Sequence, residues 1–339
     1  MPRQPTPLAD DLVRRPVLRG DALLGGITDH ELRGPHWAHP MRGVYRWGEA
    51  GGDVAARIAE VAAVLPPGAA IGGWASLWRQ GARDLDGAGL RVRRVSALPR
   101  SRAASPVAPG PPPGLAPILV CVGPVARIRP RPQIDISRRR LPDEDVIEID
   151  GIPFVRGPRS VVDLVGRQPP ELGLASIDAA LRGGATTAAD VARYLEKHPG
   201  VYGRPKLLTV LSLANGRAKS RPESVFRWIW VVEAGLPQPL VNHSICDAVG
   251  TLLGEPDLLD DEAGLVGEFD GSHHRGLRQH TSDNIREERF EGVNLGVVRA
   301  THIDLWQRRR ELVQRVLAKY RLGVSRDRSR DDWYLRVAA

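Results

Sequence analysis

Apolar residues fall at Val54, Ile58, Val61 and Leu65, a three-to-four spacing that predicts an amphipathic helix over residues 53–65, stopped by Pro66-Pro67-Gly68. The pattern then turns β-like. Residues 69–72, 118–122, 134–136 and 146–155 are short apolar runs that predict a small sheet, with a helix over 74–80 after the first of them. From residue 156 the helical period returns. Segments 159–165, 171–181, 188–195 and 205–213 carry Leu, Val and Ala stripes, separated by Gly, Pro and Thr breakers. Those stripes read as core and hold no catalytic constellation. The turns at Gly183-Gly184 and around 200–203 lack the strand-before, helix-after context of a phosphate loop.

Both ends of the chain have a different texture. Residues 1–20 are polar and Pro-rich and read as a loosely held arm; Thr28 and Glu31 then have capping-box spacing ahead of a short helix, and residues 42–47 read as a strand. Helix followed by aromatic strand suggests a degenerate winged helix. The stretch Pro35-His-Trp-Ala-His-Pro40 leaves no room for a base-reading helix, which favours a packing or docking role. Residues 101–117, dense in Pro, Ala and Ser, read as an extended linker.

The last hundred residues alternate most sharply. A helix over 220–234 starts with Ser220 and Glu223 at capping-box spacing and Pro222 in its first turn, and is apolar on most of its circumference, which demands burial. A strand over 240–246, a hairpin within 254–274, a helix over 283–291, a strand over 295–299 and a helix from 303 to about 321 follow, in the order αβββαβα. Residues 325–339 are charged and read as a mobile tail. The expected organisation is α/β (α+β), with 1–50 as arm and degenerate winged helix, 51–155 as a mixed α/β region, 156–218 as a helical region, 219–323 as the C-terminal domain and 324–339 as the tail.

Candidate chemistry concentrates in the hairpin. Asp257 opens one short apolar run, and Glu268 and Asp270 close the next. Period-two geometry puts Glu268 and Asp270 on one face, with Asp257 able to meet them from the neighbouring strand. Carboxylates brought together repel one another, and a hard divalent ion such as Mg²⁺ or Mn²⁺ relieves that repulsion. His273 and His274 follow beyond Gly271. Such a cluster suits phosphodiester hydrolysis. The same residues are also compatible with a solvated acidic hairpin tip followed by surface histidines, so both readings stay open.

A formal net charge of +8 and a pI of about 10.0 favour a polyanionic partner, although nearly all the positive charge is Arg, with Lys only at 197, 206, 219 and 319. Cys121 and Cys246 match no metal spacing and make no disulfide framework, which is the usage of a reduced compartment. No apolar stretch has the length of a membrane span, so the expectation is a cytoplasmic protein with no membrane partner.

Residues 220–305 resemble the Vsr-like branch of the restriction-endonuclease-like PD-(D/E)xK superfamily, named after the very-short-patch-repair endonuclease. The matching pieces are Ser220 to Arg227 (Ser-x-x-Glu-x-x-x-Arg), Gly235-Leu-Pro237, Pro256-Asp257, Glu268-Phe-Asp-Gly-Ser-His273, Asp283-Asn-Ile-Arg286 and Gly292 through Val298-Arg299. Gly43-Val-Tyr45, Pro158-Arg-Ser-Val-Val-Asp-Leu164 and Ile177-Asp-Ala-Ala-Leu-Arg182 resemble actinobacterial proteins that join such a domain to an AbiEi-antitoxin-like N-terminal part.

The resemblance implies a restriction-endonuclease-like fold in which Asp257 and Glu268 hold the metal, with Asp270 as a third carboxylate and Glu223 as outer-sphere partner or water-orienting base. It implies that His273 or His274 manages the proton, and that Arg286 and Arg299 neutralise phosphate charge at the transition state. On the residues alone Glu223 reads equally as a helix cap, and Arg286 as a partner for Asp283 or Glu287. Asp270 stands where the superfamily carries Lys, and Lys219 is the nearest lysine along the chain. The expected activity is a metal-dependent DNA endonuclease or nickase. The alternative is a non-cleaving, antitoxin-like or DNA-binding regulator with the same scaffold, or a module that meets a toxin-antitoxin or defence-system protein.

Overall fold

The computed structural model describes residues 15–48, 53–90, 114–124, 126–271 and 288–336. The expected helix over 283–291 is thus described only from 288, where residues 288–292 are helical. The chain divides into two units, one of Met1–Gln168 with Ala185–Lys197, the other of Pro169–Gly184 with His198–Ala339.

In the first unit β1 (Val17–Leu18), α1 (Arg19–Leu24) and α2 (Asp29–Leu32) precede the hairpin of β2 (Trp37–Met41) and β3 (Val44–Trp47), and the sheet order is β1-β3-β2. Thr28 and Glu31 form the anticipated capping box. Residues 35–40 feed a strand rather than a recognition helix, because the apolar positions Trp37 and Met41 face the core across the pleat. The anticipated arm ends earlier than residue 20, since Val17 and Leu18 pair with β3.

A second, five-stranded sheet follows in the order β6-β5-β4-β8-β7. It is built from β4 (Ala70–Gly72), β5 (Ile118–Cys121), β6 (Ile134–Ser137), β7 (Val146–Ile149) and β8 (Ile152–Val155), with α3 (Val54–Ala62) and α4 (Gly73–Arg79) in the same unit. The single run expected over 146–155 folds back on itself at Asp150 and Gly151, both at positive φ, the dipeptide a tight hairpin favours. Between 156 and 218 lie α5 (Gly157–Val165), α6 (Pro170–Arg182), α7 (Ala188–Lys197) and α8 (Arg204–Leu213). They do not form one region. α5 and α7 belong to the first unit, and α6 and α8 to the second.

The second unit holds α9 (Arg221–Trp228), continued by a π-helical turn over Ile229–Glu233. Val225, Phe226, Ile229 and Trp230 are fully buried, as the nearly all-round apolar pattern required. The main sheet has the order β14-β13-β12-β9 and comprises β9 (Leu240–Val241), β12 (Leu258–Asp260), β13 (Leu265–Asp270) and β14 (Gly296–Thr301). β9, β12 and β13 pair antiparallel, while β14 lies parallel to β13. One face packs Leu258, Leu265, Val298 and Ala300 against α9 and against α10 (His302–Trp306) and α11 (Arg309–Val324). The other packs Leu259, Val266 and Val297 with Ile245, Phe290 and Val293.

Three expectations change here. The strand over 240–246 breaks after Val241, where Asn242 sits at φ 50°, and resumes as β10 (Ile245–Asp247) in a separate sheet with β11 (Leu252–Gly254). The single helix expected from 303 divides into α10 and α11. The anticipated mobile tail is partly structured: β15 (Trp333–Leu335) pairs antiparallel with β10, and Trp333 and Leu335 pack on the second core face. Its apolar residues alternate, a pattern its charges concealed. The fold is mixed α/β with several sheets, and no described helix is long and apolar enough to cross a membrane.

Candidate site at the end of the C-terminal sheet

The β12–β13 ladder ends at Leu258 and Gly267; Asp257 is the bend residue just before β12, and Glu268 is the next residue along β13. A hydrogen bond fixes the juxtaposition. The backbone N–H of Phe269 donates to Asp257 Oδ2 at 2.7 Å, holding that carboxylate against β13 next to Glu268. On the far side of β13, Glu268 is in register with Arg299, and Asp270 with Thr301. Side-chain alternation from Val266 and Val297 carries Glu268, Asp270 and Arg299 to one face, where burial eases from complete to partial. The sheet's apolar middle thus ends in a half-buried polar rim containing Asp257, Glu268, Asp270 and Arg299.

Among the described residues no three His, Cys, Asp or Glu side chains stand close enough together to hold a metal ion. His273, His274, Asp283 and Arg286 lie outside the described residues, so the roles anticipated for them stay proposals. Mg²⁺ commonly takes one or two carboxylates and completes its shell with water and substrate phosphate. Asp257, Glu268 and Asp270 are all described, so the three-carboxylate convergence anticipated from the sequence does not form, and at most a pair such as Asp257 and Glu268 is left to serve an ion.

Glu223 is buried near the start of α9, and its Oε2 accepts from Lys219 N at 2.8 Å and from Asn242 Nδ2 at 2.9 Å. Ser220 Oγ accepts from Glu223 N at 3.4 Å, so the helix start is held from both sides. Asn242 also donates from Nδ2 to Arg217 O at 3.0 Å and from its backbone N to Asp257 O at 3.3 Å. Glu223 therefore helps hold the helix start, as its cap reading anticipated, and is joined through Asn242 to the segment that carries Asp257; its outer-sphere or water-orienting role stays a proposal. Asn242 was not among the residues singled out in the sequence. Its only sequence signal is that Asn tolerates the left-handed backbone at a strand break.

Lys219 does not supply the missing cation. Its Nζ pairs with Glu255 Oε2 at 2.8 Å on the surface. That hydrogen bond, with one from Ser244, holds the Glu255 carboxyl below its usual range. In the hairpin turn, burial pushes Asp260 upward while its acceptance of Ala263 N at 2.8 Å pulls the other way, which makes Asp260 part of the turn rather than of the carboxylate rim. Beyond β14, Thr301 and Asp304 form a capping box for α10, and Arg315 pairs with Asp304 at 2.9 Å. Partial burial raises Asp304, but the hydrogen bonds from Thr301 and the charge of Arg315 outweigh it and leave the carboxyl below its usual value.

No family model, curated protein or solved structure matches this chain.

Proposed function

We propose that the second unit is a metal-dependent DNA endonuclease or nickase of the Vsr-like kind. What supports this most is that Phe269 N holds the Asp257 carboxylate against β13 at 2.7 Å, next to Glu268, with Arg299 in register beside Glu268. A bound Mg²⁺ or Mn²⁺ would polarise the scissile phosphate and acidify an attacking water. Asp257 and Glu268 would hold that ion, Asp270 would add negative charge at the strand end, and Glu223 braces the Asp257 segment through Asn242. Arg299 and Arg286 offset the phosphate charge that grows during in-line attack, and His273 or His274 transfers the proton.

Supercoiled plasmid incubated with the purified full chain and Mg²⁺ or Mn²⁺ tests this reading. Nicked or linear product is expected, and it should vanish in Asp257→Ala and Glu268→Gln. Cleavage that survives both substitutions belongs to a contaminant and overturns the assignment.

A second reading has its own support. Asp270 stands where the superfamily carries Lys, and Lys219, the nearest lysine along the chain, is engaged by Glu255. A regulator that binds DNA on the nuclease scaffold, within an antitoxin or defence context, predicts salt-sensitive binding without cleavage that EDTA leaves unchanged.

A further inference from the structure

The first unit contains a cleft of about 310 Å³ lined by Leu18, Arg42, Gly43, Arg129, Arg131 and Gln133, with Pro130 and Pro132 in its wall. At about 30 Å³ per water the space holds roughly ten waters, or a phosphate group with part of its hydration shell. One wall is the turn between β2 and β3, where Gly43 takes φ 79° and leaves Arg42 exposed at the tip. The other is the segment Arg127-Ile-Arg-Pro-Arg-Pro132. Its two prolines hold φ near an extended value and contribute no N–H. Alternation along an extended chain turns Ile128 inward, where it is 9% exposed, and Arg129 and Arg131 to the opposite side.

The two walls are tied together, since Gln133 Nε2 donates to Pro40 O at 2.9 Å. The cations are preorganised but not neutralised. Arg131 Nη1 donates to Arg129 O at 3.2 Å, while its Nε is buried without a hydrogen-bond partner. Among the described residues no carboxylate pairs with Arg42, Arg129 or Arg131. Burial makes the Arg131 guanidinium easier to deprotonate, and the like charges of Arg129 and Arg42 add to that effect. Three like charges converging on one cleft repel each other until an anion enters.

We propose that this cleft is a phosphate-binding site that seats a backbone phosphate of nucleic acid. It makes the first unit a sequence-independent anchor, separate from the carboxylate pair of the second unit. Guanidinium forks match phosphate oxygens geometrically, and contacts of this kind set register on a duplex without reading bases. The absence of a recognition helix between α2 and β2 agrees with an anchoring role.

Binding of the full chain to a labelled DNA duplex, in EDTA so that the proposed cleavage does not operate, tests the site between about 50 and 200 mM salt. Arg42→Gln with Arg129→Gln should weaken binding by the same factor for unrelated sequences and reduce the slope of log K against log salt by about 1. Arg42→Lys should keep most of the affinity, and thermal melting confirms that the variants remain folded. Arg310→Gln with Arg321→Gln removes an equal charge from exposed positions on α11 and should leave the slope nearer that of the parent. An unchanged slope in the Arg42 and Arg129 double variant, or an equal loss in the Arg310 and Arg321 double variant, overturns the proposal. So does arginine-dependent binding of inorganic phosphate or of anionic lipid vesicles by a chain that does not bind DNA.

Discussion

Arg227 and Asp178 meet entirely out of solvent, Nη2 to Oδ2 at 2.5 Å, and tie α9 to α6. Ser224 Oγ donates to the same carboxylate oxygen at 2.6 Å, and Asn215 N donates to Oδ1 at 2.7 Å. Burial pushes the Asp178 carboxyl upward, and these three donors pull against it. Because α9 packs against the sheet that carries the acidic pair, this ion pair sets the platform for the site. Arg227→Met leaves a buried carboxylate without its counter-charge and should destabilise the second unit by about 3–5 kcal/mol in urea unfolding. Adding Asp178→Leu should recover part of that loss. A single-variant loss below about 1 kcal/mol would show that the pair is not structural.

Asn242 separates backbone strain from hydrogen bonding. Asn242→Gly keeps the left-handed backbone while removing the amide that serves Glu223 Oε2 and Arg217 O, and about 1–3 kcal/mol of stability should go with it. Asn242→Ala should cost about 1 kcal/mol more, because its Cβ disfavours φ 50°. If the two variants unfold at the same denaturant concentration, strain at this position is absent. If the nuclease reading holds, both should lower cleavage more than plasmid binding, since Asn242 braces Asp257 and does not meet substrate.

Gly323 lies in the last turn of α11, where replacing Gly by Ala would gain at most the about 0.8–1.0 kcal/mol seen in a helix interior. Here an added Cβ would fall 2.2 Å from Ala263 O in the turn between β12 and β13. Gly323→Ala should therefore destabilise despite its better helix propensity. Circular dichroism melting reads the sign directly, and a raised Tm would show that the turn yields freely.

Glu60 on α3 is buried against Arg46, Nε to Oε1 at 3.3 Å. Burial pushes its carboxyl from 4.5 to about 7; Arg46 and Arg57 pull it down and Asp53 pushes it up. The folded chain therefore keeps this proton at a pH where the unfolded chain has lost it. Stability contributed by protonated Glu60 is fully present below about pH 4.5 and is lost as pH rises toward 7. Glu60→Gln should flatten that part of the stability-pH curve. An identical slope in the variant would assign the dependence to another group.

The amino-acid pattern alone determined the succession of elements. Apolar spacing placed α3, α5, α6, α7 and α8, Ser220 and Thr28 marked helix starts, and the breakers around Gly264 marked the hairpin, because these signals act within a few residues. It also put Glu268 and Asp270 on one strand after the turn, as β13 has them, whereas Asp257 lies just before β12 rather than in it. Only the tertiary structure decided which helices join which unit, that residues 333–335 complete a sheet with β10, and that the expected strand over 240–246 divides between two sheets. The Arg227–Asp178 pair and the Arg42–Arg129–Arg131 cleft likewise join positions far apart in the chain. Such contacts depend on packing geometry across the fold, which local periodicity does not encode.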